Sequence, residues 1–236
     1  MKKAVIILFL GILSQTMFAQ DDIMLNYQGV DRKTIHFGFT LGFNTMDFKL
    51  TPSMNSFGPD STVLIPEIND LVPGFHVAIV SNLRLNDNWD LRFLPGIALG
   101  QRKILFYDND KNVVSEMKIE STFIDLPLSL KYKATRINNT RPYLIGGINI
   151  RNDMARNKEF NEDEEIYIKL KPFDVYYELG VGVDFYLAYF KFSTEIKYSV
   201  GTLNVVSSDA SDDYPQYANS IDKLNSRMFM VSLHFE

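Results

Sequence analysis

The chain has 236 residues, a formal charge of −5 at pH 7 and no cysteine. The missing cysteines exclude disulfide staples, thiolate zinc sites and a lipidated cysteine anchor, and the acidic balance excludes a nucleic-acid binder, which needs a basic face. A hydrophobic content of 46% is that of a soluble protein, but strands that alternate apolar and polar residues in a membrane barrel have the same average.

The first nineteen residues read as an export signal. Lys2 and Lys3 form a positive start, Ala4–Leu13 a short apolar core, and Phe18-Ala19 before Gln20 a cleavage site, with Met17 larger than the small residue usual at −3. About ten apolar residues are too few for a spanning helix, which needs about 20. Beyond the signal no run of 18 apolar residues occurs. Cleavage leaves the remainder two charges more negative. Three segments are expected: signal peptide 1–19, periplasmic tail 20–32, and a barrel over 33–236. The tail reads either as a disordered terminus or as a partner-binding segment.

Eight runs alternate with a period of two, the mark of strands with two unlike faces. In Thr34–Asn44, Phe37, Phe39, Leu41 and Phe43 oppose His36, Gly38, Thr40 and Gly42. Gly74–Arg84 sets Phe75, Val77, Ile79 and Leu83 against His76, Ala78, Asn82 and Arg84. Trp89–Tyr107 sets Leu91, Phe93 and Ile97 against Asp90, Arg92 and Gly96, and Glu116–Lys133 sets Ile124, Leu126, Leu128 and Leu130 against Asp125, Ser129 and Lys131. Arg141–Arg151 is the least regular, with Gly146-Gly147 inside it. Val175–Leu187 opposes Leu179 and Val181 to Glu178 and Asp184, and Tyr189–Gly201 opposes Phe192 and Ile196 to Lys191, Glu195 and Lys197. Arg227–Phe235 closes the series with Phe229, Val231, Leu233 and Phe235 on one face.

The connections alternate long and short. Thr45–Pro73, Asn152–Asp174 and Leu203–Asn225 are long and Asp108–Ser115 intermediate, whereas Asn86–Asn88, Ala134–Thr140 and Ala188 are short. This rhythm predicts an all-β fold: an eight-stranded antiparallel up-and-down transmembrane β-barrel of an outer membrane, with both termini in the periplasm. A soluble lipocalin-type barrel would turn the same pattern inside out. It would then bury Arg84, Arg92, Asp125, Lys131, Glu178, Asp184, Lys191, Glu195 and Lys197, which share the non-aromatic face, at prohibitive cost. In a membrane barrel these nine form a structural lumen network, five basic and four acidic, with Gly38, Gly42, Gly96, Gly100, Gly180 and Gly182 leaving room between them.

Tyr107, Tyr132, Tyr143, Tyr189 and Phe190 lie near strand ends and are expected in interface girdles. His36, His76 and His234 share the lumen face. They read as packed polar residues; a metal site or base built from them is the alternative. Acidic loops at Asn161–Glu165 and at Asp209, Asp212 and Asp213 read as solvated charge, with divalent cations bridging lipopolysaccharide as the alternative. No catalytic, cofactor or metal residue is assigned. Eight strands leave a filled interior, so a pore is not expected.

Several segments resemble the PorT family: KTIHFGFTLGFN at Lys33–Asn44, NDNWDLRFLPGIALGQ at Asn86–Gln101, ESTFIDLPLSLKYKA at Glu120–Ala134, NNTRPYLIGGINIRNDMA at Asn138–Ala155, and Tyr177–Gly201. The IDLPL and NNTRPYLIGG stretches are the most specific. One departure is Glu236, since barrel assembly signals usually end on an aromatic residue and Phe235 is penultimate here. The resemblance implies an integral outer-membrane component of the Bacteroidota type IX secretion system. That system exports proteins bearing a C-terminal signal domain, including gliding adhesins in motile relatives. It further implies partners among the other secretion components in outer membrane and periplasm, and no catalytic residue is carried over from it; contact with outer-membrane lipid and lipopolysaccharide is expected of the barrel itself. The alternatives are a structural or adhesive barrel, or an outer-membrane lipid-modifying enzyme using the lumen histidines.

Overall fold

Side chains that alternate across a strand give it two faces, and here eight long strands use one face for lipid and the other for a shared interior. The computed structural model describes residues 25–27, 29–53, 64–68, 71–156, 168–210 and 215–236. The strands are β1 (Ile35–Pro52), β2 (Ile65–Glu67), β3 (Pro73–Arg84), β4 (Trp89–Phe93), β5 (Gly96–Tyr107), β6 (Val113–Lys133), β7 (Thr140–Asp153), β8 (Ile168–Leu170), β9 (Phe173–Tyr186), β10 (Lys191–Gly201), β11 (Val206–Ala210) and β12 (Ile221–Phe235), with a short helix α1 (Pro215–Asn219). The signal peptide, the acidic run Asn161–Glu165 and Asp212-Asp213 lie outside the described residues, as does the side chain of Asp209.

Every ladder is antiparallel. From β1 the order runs through β3, the β4–β5 pair, β6, β7, β9 and β10 to β12, which returns to β1. Phe39 therefore stands opposite Ile79 on one side and Phe235 on the other. Closure leaves no free edge among the barrel strands, the condition for crossing lipid without unpaired backbone groups.

β4 and β5 are one barrel strand. The register runs on across their junction: Arg92 faces Asn82 and Ser129, and Gly96 faces Ala78 and Asp125. The break falls at Leu94-Pro95 because Pro95 has no N–H to give the ladder. Leu94 N still donates to Pro127 O at 3.3 Å. β7, read as irregular from its sequence, pairs without a shift along both neighbours.

The turns on the side of both chain ends are tight. Asn86 Oδ1 accepts from the amides of Asn88 and Trp89, the side-chain-stabilised turn that asparagine favours. Asn138 takes a left-handed conformation at φ 52° in the next one.

At the opposite end the barrel is taller than its sequence suggests. Residues 45–52, expected in a loop, continue β1, and β12 begins at Ile221 within another expected loop. The alternation persists there with its polarity reversed. On β1 the apolar set Phe37, Phe39, Leu41 and Phe43 points outward, whereas Met46, Phe48 and Leu50 occupy the inward positions. Phe48 and Leu50 belong to an apolar core with Ile104, Phe106, Met117, Ile119 and Leu224, covered by Leu170 of β8, Val205 and Tyr217 of α1, whereas Met46 packs in a smaller cluster with Ala98, Phe123, Met228 and Met230.

Candidate functional site

Toward the ends that share the termini, the interior is charged. Phe37 and Leu179 on the outside are 68% and 73% exposed, while Arg92, Lys131 and Asp184 inside are fully enclosed. Only surrounding lipid makes that arrangement favourable.

Alternate positions of the strands bring the charges together in tiers. Nearest the short turns, the Glu236 carboxylate accepts from Arg92 Nη2 at 2.5 Å, and its other oxygen lies 2.9 Å from Lys191 Nζ and 2.8 Å from His36 Nε2. Lys131 Nζ lies 2.8 Å from both oxygens of Asp184, which also accepts from Ser193 Oγ. Above them Glu195 accepts from Tyr143 OH at 2.9 Å and stands 3.2 Å from Lys197 Nζ and 3.6 Å from Arg92 Nη1. Next, Arg151 spans Asp125 at 2.8 Å and Glu178 at 2.9 Å, and Glu178 also accepts from Asn149 and Ser199. At the top Arg102 bonds Ser226 and Ser121, lies 3.4 Å from Asp153, and stacks its guanidinium 4.1 Å from the Phe48 ring centroid. That contact is the seam between the charged and the apolar interiors. Several donors around each carboxylate are what a buried ion needs to offset its lost hydration.

Eight of the nine predicted lumen residues meet inside. Arg84 does not: it sits at the rim beside exposed Asp87. Sequence reasoning missed Arg102, Arg151, Asp153 and Glu236. Arg102 and Glu236 lie two residues along from Gly100 and His234, already read as inward, so continuing the alternation finds them; Arg151 and Asp153 lie on β7, whose faces its sequence leaves unassigned. Asp90 and Lys133, on the polar face of their strands but outside that set of nine, pair at 2.5 Å. Glycine makes the room. A Cβ on Gly182 would strike the Tyr143 ring, and one on Gly42 the His76 imidazole. Of the expected girdle, Tyr132, Tyr189 and Phe190 face outward. Tyr143 points inward to Glu195, a correction that follows from the unbroken register of β7. Tyr107 lies at the tip of the outer hairpin, six residues beyond Gln101.

The histidines take separate partners. His36 binds Glu236, His76 Nε2 lies 2.9 Å from Ser232 Oγ, and His234 lies 2.7 Å from Thr40 Oγ1 and 3.4 Å from Glu195. The last set has the composition of a hydroxyl–imidazole–carboxylate chain. The adjoining space, shared by His76, Asp125, Arg151 and His234, is about 30 Å3, enough for a water. Among the described residues no group of three or more histidine or acidic side chains is arranged to hold a metal ion.

The sequence matches the family described as outer membrane protein beta-barrel domain over residues 18–207. The chain belongs to that family. It is accordingly an outer-membrane β-barrel. No curated protein sequence matches it. Among solved structures, OprG of Pseudomonas aeruginosa is similar at 11% identity and a TM-score of 0.47, over 84% of this chain and 93% of that one. Neisserial surface protein A is similar at 11% identity and 0.43, over 86% and 98%. Ail of Yersinia pestis, in complex with the heparin analogue sucrose octasulfate, is similar at 11% and 0.41, over 84% and 96%.

Proposed function

We propose that this outer-membrane barrel is an integral, non-enzymatic component of type IX secretion, of the PorT kind, acting by contact with other secretion components. The observation that carries the contact mechanism is the filled lumen. Among the described residues, tiers of ion pairs from Glu236 up to Arg102, topped by an apolar core, leave no path for a polypeptide, and the space beside His76 and His234 admits a water. Work done for secretion is then done at surfaces: the outer loops, the periplasmic turns and the lipid belt. The segments IDLPL and NNTRPYLIGG support the PorT assignment. Delivery to the outer membrane follows from the export signal over residues 1–19.

A deletion strain with a complemented control tests this reading. Cargo bearing the C-terminal signal domain is expected to accumulate in the periplasm and to leave again on complementation, with the other secretion components still present on envelope blots. Normal export from the deletion strain overturns the proposal. A second reading, a structural or adhesive barrel, draws support from the ordered outer extension, whose own core holds β8, β11 and α1 in place. Deletion would then change surface binding or envelope integrity and leave export intact.

A further inference from the structure

The periplasmic mouth holds a pocket that the lumen network does not use. Its space of about 390 Å3 falls within the range of ligand sites, about 300–1,000 Å3. Arg32 of the tail, Arg84 at the end of β3 and Asp87 after it, Arg136 of the β6–β7 turn and Arg141 at the start of β7 wall it, with Asp31 between them. Cations outnumber carboxylates two to one there, in a chain of net charge −5. The planar guanidinium fork matches a carboxylate.

The pocket already holds a carboxylate of its own chain. Asp31 Oδ2 lies 3.5 Å from Arg141 and 4.0 Å from Arg136, and its other oxygen accepts from Tyr186 OH at 2.9 Å. Arg136 is fixed in turn by stacking on the Tyr186 ring and by bonding Asn26 O. The tail segment Val30–Arg32, with Val30 buried, thus forms one wall. On the other wall Arg84 is ion-paired, among the described residues, only with Asp87, whose side chain is 86% exposed, and Arg32 is exposed. One side shows how a carboxylate is gripped; on the other, Arg84 is held by a solvent-exposed carboxylate and Arg32 faces the open space.

Position selects the source of the ligand. Arg84 and Arg141 occupy inward-facing strand positions, whereas the tilted aromatic pair Trp89 and Tyr132 at the same end faces lipid. A ligand enters from periplasmic water along the barrel axis, not sideways from the bilayer. We propose that this pocket binds a carboxylate-rich peptide segment of a periplasmic protein, with Arg32 and Arg84 as its primary contacts. The proposal rests on the barrel and its orientation and does not depend on a role in secretion.

The test uses the full barrel in nanodiscs of zwitterionic lipid and a fluorescein-labelled tetraglutamate peptide, with tetraglutamine as control. Saturable binding of the acidic peptide is expected, weakening as salt screens the charges. Arg84→Gln is expected to lower affinity about tenfold, the scale of a charged hydrogen bond. Arg32→Gln, in the tail and outside every barrel ladder, gives the same reading should Arg84→Gln fail to assemble. Heat-modifiable gel mobility reports assembly of both. Equal binding of tetraglutamine, absence of saturable binding, or affinities unchanged in the assembled variants overturns the proposal. So does displacement of the peptide by an equal concentration of inorganic phosphate, which would mark the pocket as a phosphate or headgroup site. Normal export in the deletion strain leaves this binding result untouched, so the two proposals fail separately.

Discussion

Along β6 the outward side chains change from Leu128 and Leu126 to Glu120 and Lys118, while the inward ones change from Lys131 and Asp125 to Ile119 and Met117. β1, β5 and β12 make the same exchange: Phe43 outward gives way to Phe48 inward, Ile97 to Ile104, and Phe229 to Leu224. The lower half and the outer half of one barrel are thus built on the same strands with opposite polarity. Each follows its solvent. Lipid cannot hydrate a charge, so in the lower half charges turn inward and must find partners there. Water surrounds the outer half, where burial of apolar surface holds the wall together as in a soluble protein.

The two interiors should respond differently to damage. The largest effect is expected in the lower one. Arg151→Met strands Asp125 and leaves Glu178 with Lys197 at 3.4 Å as its remaining cation; it should cost about 3–5 kcal/mol, since it leaves uncompensated buried charge at Asp125. The midpoint of urea unfolding from micelles measures this. Removing both members of a pair together, Lys131→Met with Asp184→Leu, should stay near the parent protein. A double variant as damaged as Arg151→Met would show that the charges contribute more than mutual compensation.

In the outer half, Leu224→Ala should cost about 2–5 kcal/mol by opening a cavity, but locally. Limited proteolysis is expected to nick residues 203–225 while the lower barrel keeps its heat-modifiable mobility. Loss of that mobility would mean that the halves do not separate energetically.

On the outer wall the contrast is smaller and of opposite sign. Leu128→Lys, facing lipid, should destabilise by about 2–4 kcal/mol, whereas Lys118→Leu, facing water, should stay within about 0.5 kcal/mol. Equal effects at the two positions in a folding titration would place the membrane boundary elsewhere.

The smallest effect belongs to the outer hairpin tip. Asp108 accepts from the amides of Asn112 and Asp110, and these bonds hold its carboxyl below the usual range. A depressed pKa contributes stability above the ordinary aspartate value and loses it as pH falls through the lowered one. Amide exchange at Asn112 should therefore gain protection as pH rises out of the acid range and then level off, once corrected for intrinsic rate. Asp108→Ala should remove that dependence.

Much of this was legible in the chain itself. Period-two alternation, the long–short rhythm of connections and the nine charges on the non-aromatic face lead to a closed barrel with a charged interior. They do so because alternation is local: neighbouring side chains must point to opposite faces wherever a strand runs. The outer half was lost because apolar residues were assumed to keep one face. When the polarity changed phase after Phe43, the strand looked finished, though its backbone continued to Pro52. Tyr143 was placed in the girdle for the related reason that Gly146-Gly147 obscured the parity of β7.

Alternation along the chain marks which residues could face a lumen, and Arg84, Arg136 and Arg141 stand at short connections, with Arg32 in the tail before the first strand. Who meets whom depends on how the ring closes. Glu236 joins Arg92, Lys191 and His36 because β12 closes against β10 and β1 in one register. Asp31 reaches Arg141 because the tail folds back over the mouth. Register is a relation between strands, set by closure of the whole ring, and no single strand carries it.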